Sequence, residues 1–285
     1  MFKLYKNAFN VTNDGIVLAI PLTLFWWLIT LYIDYSKTVV DTIPEVILSA
    51  VTMVFMASAF CAGWFYMVKK CVRFSSKDFI MDRDKKNESL KLIKSLPKGV
   101  GKFFLHYVTV SVLFVAIALI MVYLIKVMSY PYVRSINDIL ISYGLSVDTL
   151  SDVQTGLDGL SPDKVMSIFN QMLIPGIKLA AVVFAVPAIF SFLLMLWMPE
   201  IIYTHRNPFA AVFTSIKKLF KNFWKSVKLY IYITVIQMLI SVIGPFSLLN
   251  VFMYMLMMII YFYFIVYVVV LVFMYYESIC LPKGE

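Results

Sequence analysis

Six stretches of this chain, near residues 15–35, 44–68, 103–126, 175–199, 228–249 and 251–275, are each apolar over about 20 residues or more. A hydrocarbon core about 30 Å thick takes about that length of helix to cross. In that medium every backbone N–H and C=O must find its partner inside the chain, which leaves the helix as the fold for such runs. Composition agrees, since 62% of the 285 residues are apolar, only 14% are charged and the mean hydropathy is +0.87. The chain therefore reads as an all-α integral membrane protein, a single polytopic domain over 1–285 with six transmembrane helices. The first stretch is too long for a signal peptide, and no small-residue cleavage site follows FWWLITLYIDY, so it reads as a retained anchor.

Lys and Arg set the orientation. Outside the spans, the N-terminus, 69–102, 200–228 and the C-terminus together carry 20 of them, and the loops of the other side carry Lys37, Lys126, Arg134, Lys164 and Lys178. Acidic residues divide evenly, eight to a side, so the bias is the one that keeps basic loops inside. Both termini are expected in the cytoplasm, with the protein in the cell membrane. The net charge of +9 sits at the edges of apolar runs rather than in a soluble basic domain, which points to anionic headgroups and away from nucleic acid. Three cysteines, none in a predicted external loop, argue against a disulfide framework, and the absence of C-x-x-C or a His cluster argues against a metal site.

Between Pro208 and Val227, apolar residues from Phe209 to Trp224 recur at three- and four-residue steps, while Lys217, Lys218, Lys221, Lys225 and Lys228 take the other face. Asn207 before Pro208 is a helix start, because Asn caps free amides and Pro is tolerated at the first helical position. Such a helix is expected to lie in the cytoplasmic interface, with Trp224 and the other aromatics in lipid and the lysines on headgroups. IKSLPKGVGKFFLHYVTV (93–110) matches IKKLFKNFWKSVKLYIYI (216–233) at one offset, and KLYKN (3–7) matches KLFKN (218–222) at another. The economical reading is three repeats of a basic interfacial helix and a transmembrane hairpin, at 1–68, 88–200 and 208–275. Lys3 and Lys6 then serve the first copy and Lys94 and Lys98 the second, although Pro97, Gly99 and Gly101 weaken the middle helix.

The pattern of KNAFNVTNDGIVLAIPL at the start and PEIIYTHRNPFAAVFTSIKKLFKNFWKSVKL after the fourth span resembles a broad group of poorly characterised bacterial six-span proteins. It is similar to the membrane domain found ahead of some glycerophosphodiester phosphodiesterases. The resemblance rests on Pro199, Ala210, Ser215, the Lys-Leu-Phe-Lys-Asn run and the long span that follows, and it implies an all-helical membrane domain without a catalytic role.

Ionisable groups inside a span are costly and usually functional. Here Glu45, Glu200 and Glu277 all lie at span ends. Thr234, Gln237 and Ser241 share one helix face and, with Thr109, Ser111 and Ser191, would line a polar seam; interhelical hydrogen bonding is the plainer role for them. Small residues on the second span (Ser58, Ala59, Ala62, Gly63) and on the fourth (Ala181, Ala185, Ala188) suggest close packing there, and the last span, without a small face, is expected at the periphery. His106 reads as an interfacial anchor. The external segment 127–174 has a soluble-like composition, with helical patterning at 133–143 and 162–173 around a turn-rich centre; it or the cytoplasmic helices are the candidate protein-contact surface. Hydrolase, protease and ATPase signatures are missing, so the chain reads as non-enzymatic, without a cofactor. A scaffold or accessory subunit that engages anionic lipid is the first functional reading, and a transporter or permease for a lipid-like or small amphiphilic cargo is the alternative.

Overall fold

The computed structural model describes residues 1–75, 91–145, 160–204, 207–245 and 250–281. These form helices α1 (Phe2–Asp14), α2 (Ala19–Val39, after a 3-10 turn at Ile16–Leu18), α3 (Ile43–Ser75), α4 (Leu96–Ser142) and α5 (Pro162–Leu194). Then follow α6 (Trp197–Thr204), α7 (Pro208–Lys221), α8 (Phe223–Ile243), α9 (Val251–Tyr275) and a π turn at Tyr276–Cys280. Among the described residues there is no strand. Six helical segments are long and apolar enough to cross a membrane, and each overlaps one predicted span.

Two helices outrun the apolar stretches that mark them. Helix α4 has 47 residues and α5 has 33, so at 1.5 Å per residue they run for roughly 70 and 50 Å, well beyond a core of about 30 Å. The helical patterning at 133–143 and 162–173 belongs to these continuations, so most of the 127–174 segment is not loop; its turn-rich centre lies outside the described residues. Hydropathy marks the lipid slab, whereas a helix ends where its capping or packing ends.

The chain divides into two compact units, 1–113 with 193–285, and 114–192. At the centre of the first is the second half of α9, where Val270, Leu271 and Tyr275 are fully buried against α1, α2 and α3. This corrects the peripheral placing of the last span. Absence of small residues prevents close backbone approach but not burial, because bulky side chains such as Phe273 fill the space between more widely set helices. Helix α1 lies along α9, with Tyr263 donating to Asn13 Oδ1 at 2.6 Å and Tyr5 stacked on Tyr232 of α8 at 4.0 Å.

The small face of α3 packs on the first turns of α4. A Cβ on Gly99 would stand 2.7 Å from Tyr66 Cβ and 2.9 Å from both the Ala62 carbonyl and Gly63 Cα. Glycine is thus what lets the two backbones touch, and Ser58 and Ser111 exchange a 2.9 Å hydrogen bond further along. Pro97 and Gly99 therefore begin α4 rather than break it, since Pro falls in the first turn, where its missing N–H is no loss. The middle repeat has no separate interfacial helix among the described residues, whereas α1 and α7 each precede two spans.

The second unit is the hairpin of α4 and α5 between 114 and 192. Its tip is closed by Leu140, Leu145 and Ile168 packed with Ile136, Ile139 and Met172. Beside them Tyr143 shares a hydrogen bond with Ser167 at 2.9 Å and accepts one from Gln171 at 2.9 Å.

Candidate functional site: a buried ion pair beneath a basic helix

Helix α6 is a single pair of turns in which Trp197, Pro199, Glu200, Ile201 and Ile202 are all buried. Pro199 sits in its first turn, where it costs no backbone hydrogen bond, and the Trp197 indole donates to the Pro208 carbonyl at 3.1 Å, tying α6 to the start of α7. That start is built as the sequence predicts, with the Asn207 side chain accepting from Phe209 N and Pro208 opening the helix. An eight-residue helix enclosed on nearly every side leaves the Glu200 carboxylate no route to solvent, and the residue is 0% exposed.

The chain meets this carboxylate from two directions. Lys218 Nζ, from α7, stands 2.8 Å from Glu200 Oε2. The Tyr276 hydroxyl, from the π turn after α9, donates to the same oxygen at 2.6 Å, and Lys218 also donates to that hydroxyl at 2.6 Å. The lysine lies over the Tyr276 ring, 4.7 Å from its centroid. Charge, hydrogen bond and ring quadrupole converge on one ammonium. The other carboxylate oxygen, Oε1, is buried and has no hydrogen-bond partner among the described residues.

A second carboxylate stands next to the first. Tyr203 donates to Glu277 Oε2 at 2.9 Å, and Arg73 Nε lies 3.8 Å from Oε1 of the same residue. The Tyr203 ring carries Lys69 at 4.8 Å and Arg73 at 5.5 Å from its centroid, and lies 5.3 Å from the Tyr276 ring. Lys69, itself buried, donates to the Ile202 carbonyl at 2.8 Å. Three cations and two carboxylates from α3, α6, α7 and the π turn thus form one network at the end of the unit expected to face the cytoplasm. Chemically it is a neutralising clamp, in which charges are paired, rings are stacked and two tyrosine hydroxyls donate to the two carboxylates. Among the described residues no three His, Cys, Asp or Glu side chains are grouped to hold a metal ion.

The residues singled out in the sequence fall into three places. Lys3, Lys6, Lys94, Lys98, Lys217, Lys221 and Lys225 are exposed, and Trp224 is 75% exposed, beside exposed Phe213 and Phe220. Lys218 is different: it was grouped with the lipid-facing lysines, but it turns inward to Glu200, with 26% of its side chain accessible. The buried stripe of α7 is Ala211, Ser215 and Leu219, small enough to let α7 lie against the bundle while its aromatics point away. Of the polar seam, the hydroxyl members within the first unit bond elsewhere. Thr234 and Ser241 donate to carbonyls of their own helix, at Tyr230 and Gln237, and Gln237 and Ser241 are exposed. Ser111 pairs with Ser58 instead, and Thr109 bonds Leu105 O. His106 is half-buried against the edge of Phe103.

Glu200, Lys69, Tyr203, Tyr276 and Glu277 were not picked out in the sequence as a site. The signal was there in Trp-Met-Pro-Glu-Ile-Ile, since a carboxylate inside an apolar helical run must find a cation. No family model, curated protein or solved structure matches the chain, so the likeness to six-span membrane domains rests on the residues quoted for it.

Proposed function

We propose that the chain is a non-enzymatic multi-pass membrane protein, a scaffold or accessory subunit that holds anionic lipid at the cytoplasmic face. The observation that carries this reading is the two-sidedness of α7. Its Lys218 is anchored to Glu200, while Lys217 and Lys221, with Lys225 just beyond, are exposed beside Phe213, Phe220 and Trp224. A helix clamped by one lysine presents the others in fixed register, with aromatics at headgroup depth and ammonium groups among phosphates. Protein contacts fit the hairpin of the second unit, where Met166 and Phe169 are exposed. Kinship with the six-span membrane domains described above belongs to the same proposal.

The test is native mass spectrometry of the full-length protein released from bilayers of mixed anionic and zwitterionic lipid. Each lysine near an anionic surface contributes about 1 kcal/mol, so Lys217→Gln, Lys221→Gln and Lys225→Gln together should cut the anionic preference by roughly 100-fold. An unchanged preference would remove the electrostatic basis of the reading. The alternative, a transporter or permease for a lipid-like cargo, draws on Gln237, an exposed amide in the middle of α8. Loss of cargo flux on Gln237→Leu in a variant that still folds would favour it.

A further inference from the structure

The second unit contains a crevice of about 450 Å³ between α4 and α5. Lys178, Ala181 and Ala185 step along one face of α5, and Met128 and Tyr132 face them from α4. The alanines keep one wall low, and among the described residues no third element of this unit covers the opening. Lys178 marks one end and Phe190 the other; twelve residues of helix separate them, a length of roughly 18 Å. One leaflet of a hydrocarbon core about 30 Å thick has nearly that depth. The crevice is thus one leaflet long, apolar along its length and cationic at the end where the span expected at 175–199 begins. Among the described residues no carboxylate pairs with Lys178, and the Tyr132 hydroxyl has no hydrogen-bond partner.

We propose that this crevice is a specific site for one anionic glycerophospholipid, with an acyl chain along Ala181 and Ala185 and the headgroup phosphate on Lys178 and Tyr132. The site shares no residue with the basic helix α7 and does not depend on the function proposed for it. Surrounding lipid tails are as apolar as the crevice, so transfer of the chain gives little selectivity by itself. Selection among lipids has to come from the unpaired ammonium and the phenol at the mouth, which charge-match a phosphate and an anionic headgroup beside it. An acyl chain lying in a fixed trough adds contacts on three sides and slows exchange.

Native mass spectrometry of the delipidated full-length protein, titrated with phosphatidylglycerol or phosphatidylcholine, tests the proposal. The wild-type protein should keep one phosphatidylglycerol at collision energies that strip all others, with about a tenfold preference over phosphatidylcholine. Ala185→Leu fills the trough and should abolish the retained adduct. Lys178→Gln, at an exposed position that leaves folding undisturbed, should keep a lipid but lose the preference. The Lys217, Lys221 and Lys225 variant should leave this single adduct in place, which separates the two lipid readings. A retained adduct in Ala185→Leu, or an anionic preference that survives Lys178→Gln, would overturn the site. So would a wild-type dimer that carries no lipid and dissociates on Ala185→Leu, because the crevice would then belong to a second copy of the chain.

Discussion

Lys218 and Glu200 face each other at 2.8 Å across the junction of α7 and α6, with the carboxylate wholly withdrawn from solvent and the lysine reaching it from a helix whose other lysines point outward. Moving two charges out of water costs several kcal/mol per ion, so such a pair is held by geometry as much as by attraction. Tyr276 supplies that geometry, since it bonds both members.

Breaking one side of the pair should therefore hurt more than removing all of it. Lys218→Met leaves an uncompensated buried carboxylate and should cost about 3 kcal/mol, near the low end for buried pairs because the lysine is partly accessible. Replacing the three groups together, as Glu200→Leu, Lys218→Met and Tyr276→Phe, should return most of that stability. Thermal unfolding of the purified variants in one detergent ranks them, and equal losses in single and triple variants would contradict the clamp.

The two glycines at the start of α4 should respond in opposite senses. Gly99→Ala drives a methyl into Tyr66 and the α3 backbone and should destabilise by about 1–3 kcal/mol. Gly101 meets nothing within 4 Å of an added Cβ, and Gly101→Ala should stabilise by about 0.5–1 kcal/mol. The same melting experiment reads both.

Tyr203 serves through its ring and its hydroxyl, and the two are separable. Tyr203→Phe loses the bond to Glu277 and should cost about 1 kcal/mol, whereas Tyr203→Ala also removes the surface beneath Lys69 and Arg73 and should cost about 3 kcal/mol or more. Similar melting points for the two variants would show that the ring carries no cation.

Orientation is open to direct labelling. In a background with Cys61, Cys71 and Cys280 replaced by Ala, Lys164→Cys should react with an impermeant maleimide in intact cells. Lys225→Cys should react only after permeabilisation. The reverse pattern would invert the topology and place the basic helix on the outer face.

The spans were legible because a run of apolar residues long enough to cross lipid has few other uses. Helix at 133–143 and 162–173 was legible too, but its unbroken continuity with α4 and α5 was not, since residues such as Ile136, Ile139 and Ile168 are helical for reasons of packing on a partner helix rather than of immersion. The clamp was hidden by a similar ambiguity. Lys218 is one of five lysines on one predicted helix face, and one-dimensional spacing cannot show that a helix rotates one of them towards the bundle and leaves Lys217 and Lys221 outside. The likeness between KLYKN and KLFKN was visible; that the second lysine-rich copy spends a charge on a carboxylate 18 residues upstream was not.

Glu200 also sets a condition on biogenesis. Its tyrosine partner lies 76 residues further along the chain, and at ordinary translation rates of roughly 5–20 residues per second it emerges some 4–15 s later. Until then the nascent protein holds a carboxylate in an apolar surround with its final hydrogen-bond donor still unmade. A chain released before Tyr276 keeps all six spans yet carries an unfinished polar defect at Glu200, one hydrogen bond short of the complete clamp.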